Sequence, residues 1–148
     1  PTVKRGKGYA AGKKISGIKR HIAVDTQGLP HAFAVTAANV TDRNGALLAF
    51  EQNRAELDEV ESILCDGSYS GKPFANSVKA LLGERATVQV VKRNELHTFA
   101  VIPKRWVVER SFAWLEKQRR LWKNCERTFA TALQFIILTF VALLLRRL

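Results

Sequence analysis

Two acidic residues at the edges of apolar segments are the candidates for chemistry in this 148-residue chain. Asp66 follows the apolar run 62–65 and precedes a loop of small residues, a position where α/β sheets present ligand-binding groups. Glu109 lies on a predicted helix, at the border between its apolar and charged sides. Carboxylate oxygens are preferred ligands of Mg²⁺, and paired metal ions activate a hydroxyl and stabilise a leaving oxyanion. In a strongly basic chain, the two residues indicate a magnesium site acting on phosphodiesters.

Each carboxylate also has a simpler structural interpretation, which the residues alone leave open. Asp66 can cap the following turn through the backbone amide of Gly67 or Ser68. Glu109 lies four residues after Arg105, so the two side chains can form a solvated helix ion pair worth about 0.2–0.5 kcal/mol. Either structural role is compatible with the local pattern.

The charge of the chain predicts a polyanionic partner. Lys and Arg number 24 against 13 Asp and Glu, which gives a net charge of +11 and favours nucleic acid over a membrane surface. Residues 1–15 are predicted to form a basic arm, and residues 16–148 the folded domain. Cys65 and Cys125 are predicted to be free thiols in a reducing cytoplasm, and isolated His and Cys residues give no zinc spacing.

The first half of the chain predicts alternating strands and helices. Alternation from Ile18, a turn at 25–28 and a second apolar run predict a β-hairpin. Thr41 or Asp42 is expected to cap a helix that ends near Ala55. A buried strand at 62–65, a helix opened by Pro73 and a strand at 87–91 are expected to follow.

The second half predicts two helices. Residues 104–125 gather apolar side chains into one broad arc at 3.6 residues per turn. Residues 129–145 are apolar on nearly all sides but shorter than the roughly 20 residues of a membrane span, which predicts a buried closing helix. The order of elements predicts a mixed α/β fold, a sheet covered by helices.

Several short motifs occur in one order over almost the whole chain, and together they resemble the DDE transposases of small bacterial insertion sequences. The last motif is the most specific, because the family carries its catalytic glutamate after Arg-x-x-x and before Arg, with a Trp-Leu pair on the same helix. The motifs are GKGY at 6–9, GKK at 12–14, KRHIAVDT at 19–26, NVTDRNGA at 39–46, CDGSYSG at 65–71 and RWVVERSFAWL at 105–115.

The resemblance implies a ribonuclease-H-like sheet in which Asp66 is the second catalytic aspartate and Glu109 the catalytic glutamate. Both would bind Mg²⁺ or Mn²⁺. The implied partner is double-stranded DNA, at transposon ends and at the target. A second copy of the chain, or the N-terminal half of a split transposase, is the protein partner to consider. The cations expected to contact DNA are Lys13, Lys14, Arg105, Arg110, Lys117 and Arg120.

The chain departs from the family pattern at two places. Ile102 and Glu116 stand where relatives often have Tyr and Lys, with Lys117 one place later. The family's first aspartate precedes a Ser/Thr-x-x-Val-Lys stretch, and residues 1–4 look like its tail, so the first catalytic strand and aspartate are expected to be missing. Asp25 is interpreted as a hairpin-turn residue and not as a substitute for that aspartate.

The expected activity is metal-dependent DNA cleavage at transposon ends followed by strand transfer, with the isolated chain inactive. One alternative is a basic DNA-binding remnant without catalysis, or one half of a split transposase. Another is a ribonuclease or repair nuclease on the same fold, against which the motif at 105–110 argues.

Overall fold

The computed structural model describes residues 8–11, 14–91, 104–123 and 125–146, without the side chains of Ile15 and Arg105. Two 3₁₀ turns, Arg54–Leu57 and Gly67–Tyr69, join the regular elements. The predicted mixed α/β class is confirmed, and the arrangement is consistent with the expected ribonuclease-H-like domain. The strands are β1 (Gly8–Ala10), β2 (Ile15–Val24), β3 (Pro30–Ala37), β4 (Ser62–Asp66) and β5 (Thr87–Val91), and the helices are α1 (Asp42–Gln52), α2 (Lys72–Leu82), α3 (Arg105–Glu116), α4 (Arg119–Trp122) and α5 (Phe129–Leu145).

The predicted hairpin is confirmed as an antiparallel pair of β2 and β3, with Ile18 opposite Ala37 and Ile22 opposite Phe33. The short strand β1 pairs antiparallel with the start of β2. Gly28 adopts a φ of +84° in the connecting turn, a conformation that glycine adopts without steric cost. The described part of the chain thus contains a three-stranded sheet in the order β1, β2, β3.

Helix α1 begins as predicted, because the Thr41 hydroxyl accepts a hydrogen bond from the Asn44 amide at 3.3 Å. It ends at Gln52, three residues before the predicted end. Asn53 closes it: its side-chain amide donates to the carbonyls of Ala49, at 2.7 Å, and of Phe33 in β3, at 3.0 Å. The end of the helix is therefore set by a contact with the hairpin.

Strands β4 and β5 form a separate parallel pair, with Ser62 opposite Thr87 and Asp66 opposite Val91. The prediction that β4 is buried was wrong for one of its faces: Ile63 and Cys65 are partly buried, whereas Leu64 is 42% exposed. Successive strand side chains point to opposite faces, and the buried face packs on the core that contains Phe74 and Val78 of α2.

The predicted helix over 104–125 is divided into α3 and α4, with Gln118 in an extended conformation between them. Leu115 and Leu121 would lie about 120° apart around one continuous helix, and the break turns both into the same core. The Arg20 guanidinium donates to the Leu121 carbonyl and holds α4 against the hairpin. Trp122, predicted to belong to the apolar arc, is 70% exposed.

Helix α5 covers the predicted residues, but the prediction that it is buried holds for one face only. Ala132, Ile136 and Phe140 are buried at four-residue spacing, whereas Leu138 and Leu145 are exposed. No helix in the described ranges has both the length and the apolar character needed to cross a membrane.

The hairpin separates two hydrophobic cores because alternate residues of β3 point to opposite faces. Ala32 and Ala34 face one core, and Phe33 and Val35 face the other. The α1–α2 core contains Ala32, Ala34, Ala49, Phe50, Leu57, Phe74, Val78 and Ala86. The α3–α5 core contains Val35, Leu115, Leu121, Ala132, Ile136 and Phe140.

His21 of β2 is buried against α1. Its Nε2 lies 2.8 Å from the Thr36 hydroxyl, and a Cβ at Gly45 would lie 2.0 Å from the imidazole ring. Gly45 is thus required for this approach of helix and sheet. Burial lowers the pKa of His21; nearby Lys19 lowers it further, while Asp42 opposes this effect.

Candidate active site

Asp66 lies at the C-terminal end of β4, exposed, and caps the 3₁₀ turn that follows. Its Oδ1 accepts hydrogen bonds from the Ser68 amide, at 2.9 Å, and from the Ser68 hydroxyl. The capping role considered from the sequence is therefore present, with Ser68 as the donor. Among the described residues no hydrogen bond reaches Oδ2, so capping orients the carboxylate and leaves its second oxygen available.

The loop after Asp66 is anchored to the N-terminal end of α1. Arg43 Nε donates to the Ser68 carbonyl at 2.7 Å, and the two residues line one open groove. The Tyr69 ring packs on Phe74, with ring centroids 5.2 Å apart. Neither contact was predicted from the sequence. In particular, no local pattern connects Arg43 to a loop 25 residues later.

The environment of the loop disfavours additional negative charge. Burial, followed by the charges of Asp42, Cys65 and Asp66, raises the pKa of Tyr69 to about 12. Burial and the charge of Asp66 raise the pKa of Cys65 to about 11. Cys65 therefore stays a neutral thiol at physiological pH and is unsuited to act as a nucleophile.

Glu109 is exposed on α3, the helix that packs against the hairpin and α5. The residues that follow it, Arg110 and Ser111, contact the turn between β2 and β3. The expected position at the border between buried and exposed surfaces was wrong, because Glu109 faces solvent about 160° around the helix from the buried Val107 and Ser111.

Asp25 has the structural role expected of it. Its Oδ1 accepts from the amides of Gln27 at 2.7 Å and Leu29 at 2.9 Å, and its Oδ2 lies 3.7 Å from His31 Nε2. Burial raises the pKa of Asp25, but these amides and His31 outweigh that effect and hold it below 3.8. The carboxylate is thus engaged in closing the hairpin turn.

The cations expected to contact DNA differ in their environments. Lys14 and Lys117 are exposed. Arg120 is exposed but pairs with Glu126 at 2.7 Å, which raises its pKa, and lies over the Phe135 ring. Arg110 is only partly exposed, and its guanidinium contacts protein groups. Lys13 and the side chain of Arg105 lie outside the described residues, as does most of the predicted basic arm.

The described residues supply carboxylates of the right type for a hard cation but do not complete a metal centre. Within the described ranges, no group of three or more His, Cys, Asp and Glu side chains is placed to hold a metal ion. Asp66 and Glu109 are carried by β4 and α3, which pack on different cores. Two carboxylates leave most of the coordination shell of Mg²⁺ to other ligands.

Comparison with known proteins gives two findings. The family described as "Transposase DDE domain" matches residues 1–145. A protein of Burkholderia cepacia, named as a transposase for insertion sequence element IS402, is 30% identical over 118 residues, which cover 75% of this chain and 54% of the relative. The chain therefore spans about half the length of this curated relative. No solved structure matches the chain.

Proposed function

The chain belongs to the transposase DDE-domain family, and on this basis we propose that it forms the catalytic part of a DNA transposase. The proposed reaction is cleavage at transposon ends, followed by transfer of the new 3′ hydroxyl to target DNA. The family match over residues 1–145 is the observation that carries this proposal. The similarity to the relative from Burkholderia cepacia supports it independently.

Asp66 and Glu109 are the proposed catalytic carboxylates. Asp66 stands at the end of a parallel strand, with Oδ1 held by Ser68 and Oδ2 not hydrogen-bonded within the described residues. Glu109 occupies the glutamate position of the RWVVERSFAWL motif, on the exposed side of a helix whose opposite side is buried. These placements suit two ligands that reach a site from separate elements.

DDE transposase domains use divalent metal ions, and we assign Mg²⁺ or Mn²⁺ to this one. Such ions lower the pKa of an attacking hydroxyl or water and stabilise the leaving oxyanion. The described carboxylates do not form a three-ligand cluster. The proposed third ligand is an aspartate encoded before Pro1, on a strand that pairs beside the hairpin and brings its carboxylate next to Asp66.

Double-stranded DNA is the proposed partner, in keeping with the family and the net charge of +11. Exposed Lys14 and Lys117 and the basic residues around α4 are the described cations best placed to contact phosphates. We do not include Arg110 among the proposed phosphate contacts, because its guanidinium contacts protein groups.

A second candidate is a DNA-binding chain without catalytic activity, as in a decayed copy or one half of a split transposase. The observation that favours it is the absence of a three-ligand cluster within the described ranges. Under this alternative, DNA binding persists with its salt dependence, but no addition of coding sequence before Pro1 produces cleavage.

One experiment separates the two candidates. The chain is produced alone and fused to the sequence encoded before Pro1, and each is assayed for cleavage of DNA carrying the element's ends, in Mg²⁺ and in Mn²⁺. We expect cleavage only from the longer chain, and its loss in Asp66→Asn or Glu109→Gln. DNA binding should persist in both variants and weaken steeply between about 50 and 200 mM salt.

Glu84→Gln is the matched control, because Glu84 is an exposed glutamate that forms an ion pair with Lys79 in the last turn of α2. This variant should cleave like the wild type. Full activity of Asp66→Asn or Glu109→Gln would contradict the site assignment, and strand transfer by the chain alone would contradict the need for a third carboxylate.

A further inference from the structure

The residues after Glu109 form a specific contact with the turn between β2 and β3. The Ser111 hydroxyl lies 2.8 Å from the Gly28 carbonyl and 3.0 Å from the Val107 carbonyl, and Ser111 is fully buried. The second acceptor lies in the same helix, whereas Gly28 is 83 residues away in the chain. Ser111 therefore joins α3 to the hairpin at one defined point.

Arg110 makes the second part of this contact. Its guanidinium donates to the Gln27 carbonyl and lies between the rings of Trp106 and Trp114, 4.6 and 4.9 Å from their centroids. The two tryptophans are four residues before and after Arg110, so all three side chains share one side of the helix. Arg110 Nε is buried without a hydrogen-bond partner among the described groups. The guanidinium of this partly exposed residue is thus engaged by a carbonyl and two indole rings, and these contacts compete with the binding of a phosphate.

The turn is shaped to accept these side chains. A Cβ at Gly28 would lie 2.9 Å from Ser111 Oγ and 3.1 Å from an Arg110 guanidinium nitrogen. Its φ of +84° disfavours any other residue for a second reason. The Asp25 carboxylate, bound to the amides of Gln27 and Leu29, fixes the turn from within. The turn is thereby organised by its own hydrogen bonds in addition to its contacts with the helix.

We propose that Arg110 and Ser111 are positioning residues that set Glu109 in place by locking α3 onto the hairpin turn. Consecutive helix residues are 1.5 Å apart along the axis and 100° apart around it. Fixing residues 110 and 111 against the turn therefore fixes both the rotation of α3 and its height at Glu109. This inference depends on the proposed catalytic role of Glu109.

Positioning of this kind affects rate more than substrate affinity. A displacement of about 1 Å at a reacting group can lower a rate about 100-fold without removing any substrate contact. A direct DNA contact by Arg110 would behave differently: loss of the cation would weaken DNA affinity, and lysine would restore it. Lysine cannot replace the planar guanidinium between two indole rings, since its ammonium is a compact point charge.

The test compares Arg110→Lys, Arg110→Gln and Ser111→Ala in the longer chain, with Arg54→Gln, at an exposed arginine of the 3₁₀ turn Arg54–Leu57, as the control. DNA affinity and the single-turnover cleavage rate at saturating DNA are measured separately. We expect all three variants to lower the rate by about 10- to 100-fold with an unchanged Kd, and Arg54→Gln to leave the rate and the Kd unchanged. Hydrogen exchange should show faster exchange of amides 105–116 in the three variants, with wild-type protection of β4.

Other results contradict the proposal in distinguishable ways. A weaker Kd in Arg110→Gln that Arg110→Lys restores, with an unchanged saturated rate, makes Arg110 a DNA contact. Wild-type rates in all three variants would show that the contact of Arg110 and Ser111 with the turn does not position Glu109, even when Glu109→Gln is inactive. A fully active Glu109→Gln enzyme instead overturns the proposed catalytic role of Glu109, on which this inference depends. Loss of the folded circular-dichroism spectrum in Arg110→Lys would overturn a role limited to positioning.

Discussion

Asp66 is oriented by a residue two positions along the chain, whereas the helix of Glu109 is held by a turn 83 residues away. Asp66 and Ser68 form an exposed cap, which the Arg43 contact then ties to α1. Around Glu109 the Ser111 contact is buried and depends on the hairpin, α3 and α5 packing together. One candidate residue can acquire its geometry from a short peptide segment, and the other requires the completed fold.

The difference matters because loss of tertiary packing should affect the two residues unequally. A local cap persists when a distant core loosens, since both of its partners lie in one turn. The contact between Ser111 and Gly28 spans 83 residues, so it forms only when α3 and the hairpin are both folded and packed together. Variants that weaken each region separately therefore test whether Asp66 and Glu109 depend on different contacts.

The largest expected effect is that of Leu115→Ala. Leu115 is fully buried in the α3–α5 core, so truncation should lower the free energy of unfolding by about 2–5 kcal/mol. Leu145→Ala, at a residue 64% exposed on α5, should change it by about 0.5 kcal/mol or less. Urea unfolding measures both values. Native-state hydrogen exchange should show α3 less protected and β4 unchanged, and equal losses in both would show that the regions open as one unit.

A smaller effect is expected from a pair of glycine substitutions, one in each region. Gly28→Ala places a Cβ 2.9 Å from Ser111 Oγ at a φ of +84°, and should cost about 1–3 kcal/mol of stability. Gly67→Ala, where nothing lies within 4 Å of the added Cβ, should change stability by about 0.5 kcal/mol or less. Thermal unfolding compares the two directly. Similar losses in the two variants would contradict the claim that, of Gly28 and Gly67, only Gly28 lies in a close contact.

The smallest expected effect is a pH dependence from Asp25. Because its pKa lies below 3.8 in the folded chain, the carboxylate stabilises the fold fully above that value, and this contribution is lost as pH falls through the folded pKa. The side chain is one-third exposed, so solvent screening keeps the effect small. Urea unfolding between about pH 5 and 2.5 should show a shallower decline in Asp25→Asn than in the wild type.

His21 provides an internal reference for that experiment, because its contribution is the same in Asp25→Asn and in the wild type. Its pKa is lowered from 6.5, so the stability it contributes is complete above 6.5 and declines as pH falls through the folded pKa. If stability declines equally at low pH in Asp25→Asn and in the wild type, the Asp25 carboxylate does not stabilise the turn.

Much of the fold followed from local patterns in the sequence. The hairpin, the Thr41 cap, the strands at 62–65 and 87–91 and the helix at 129–145 were predicted, because alternation, capping and helical periodicity are properties of neighbouring residues. The motif around Asp66 and the one around Glu109 were likewise visible in the sequence, and the family match supports their order. The assignment of both residues as catalytic stays a prediction.

Tertiary structure decided what local patterns could not express. The division of residues 104–125 into α3 and α4 arises because Leu115 and Leu121 enter one core, and the burial of His21 arises because Gly45 leaves room for its ring. The positive charge of Arg110 could be read from the sequence, whereas the two tryptophans and the carbonyl that its guanidinium contacts are seen only in the structure. Residue types and spacing determined which groups can do chemistry, whereas contacts between distant segments decided how each group is held.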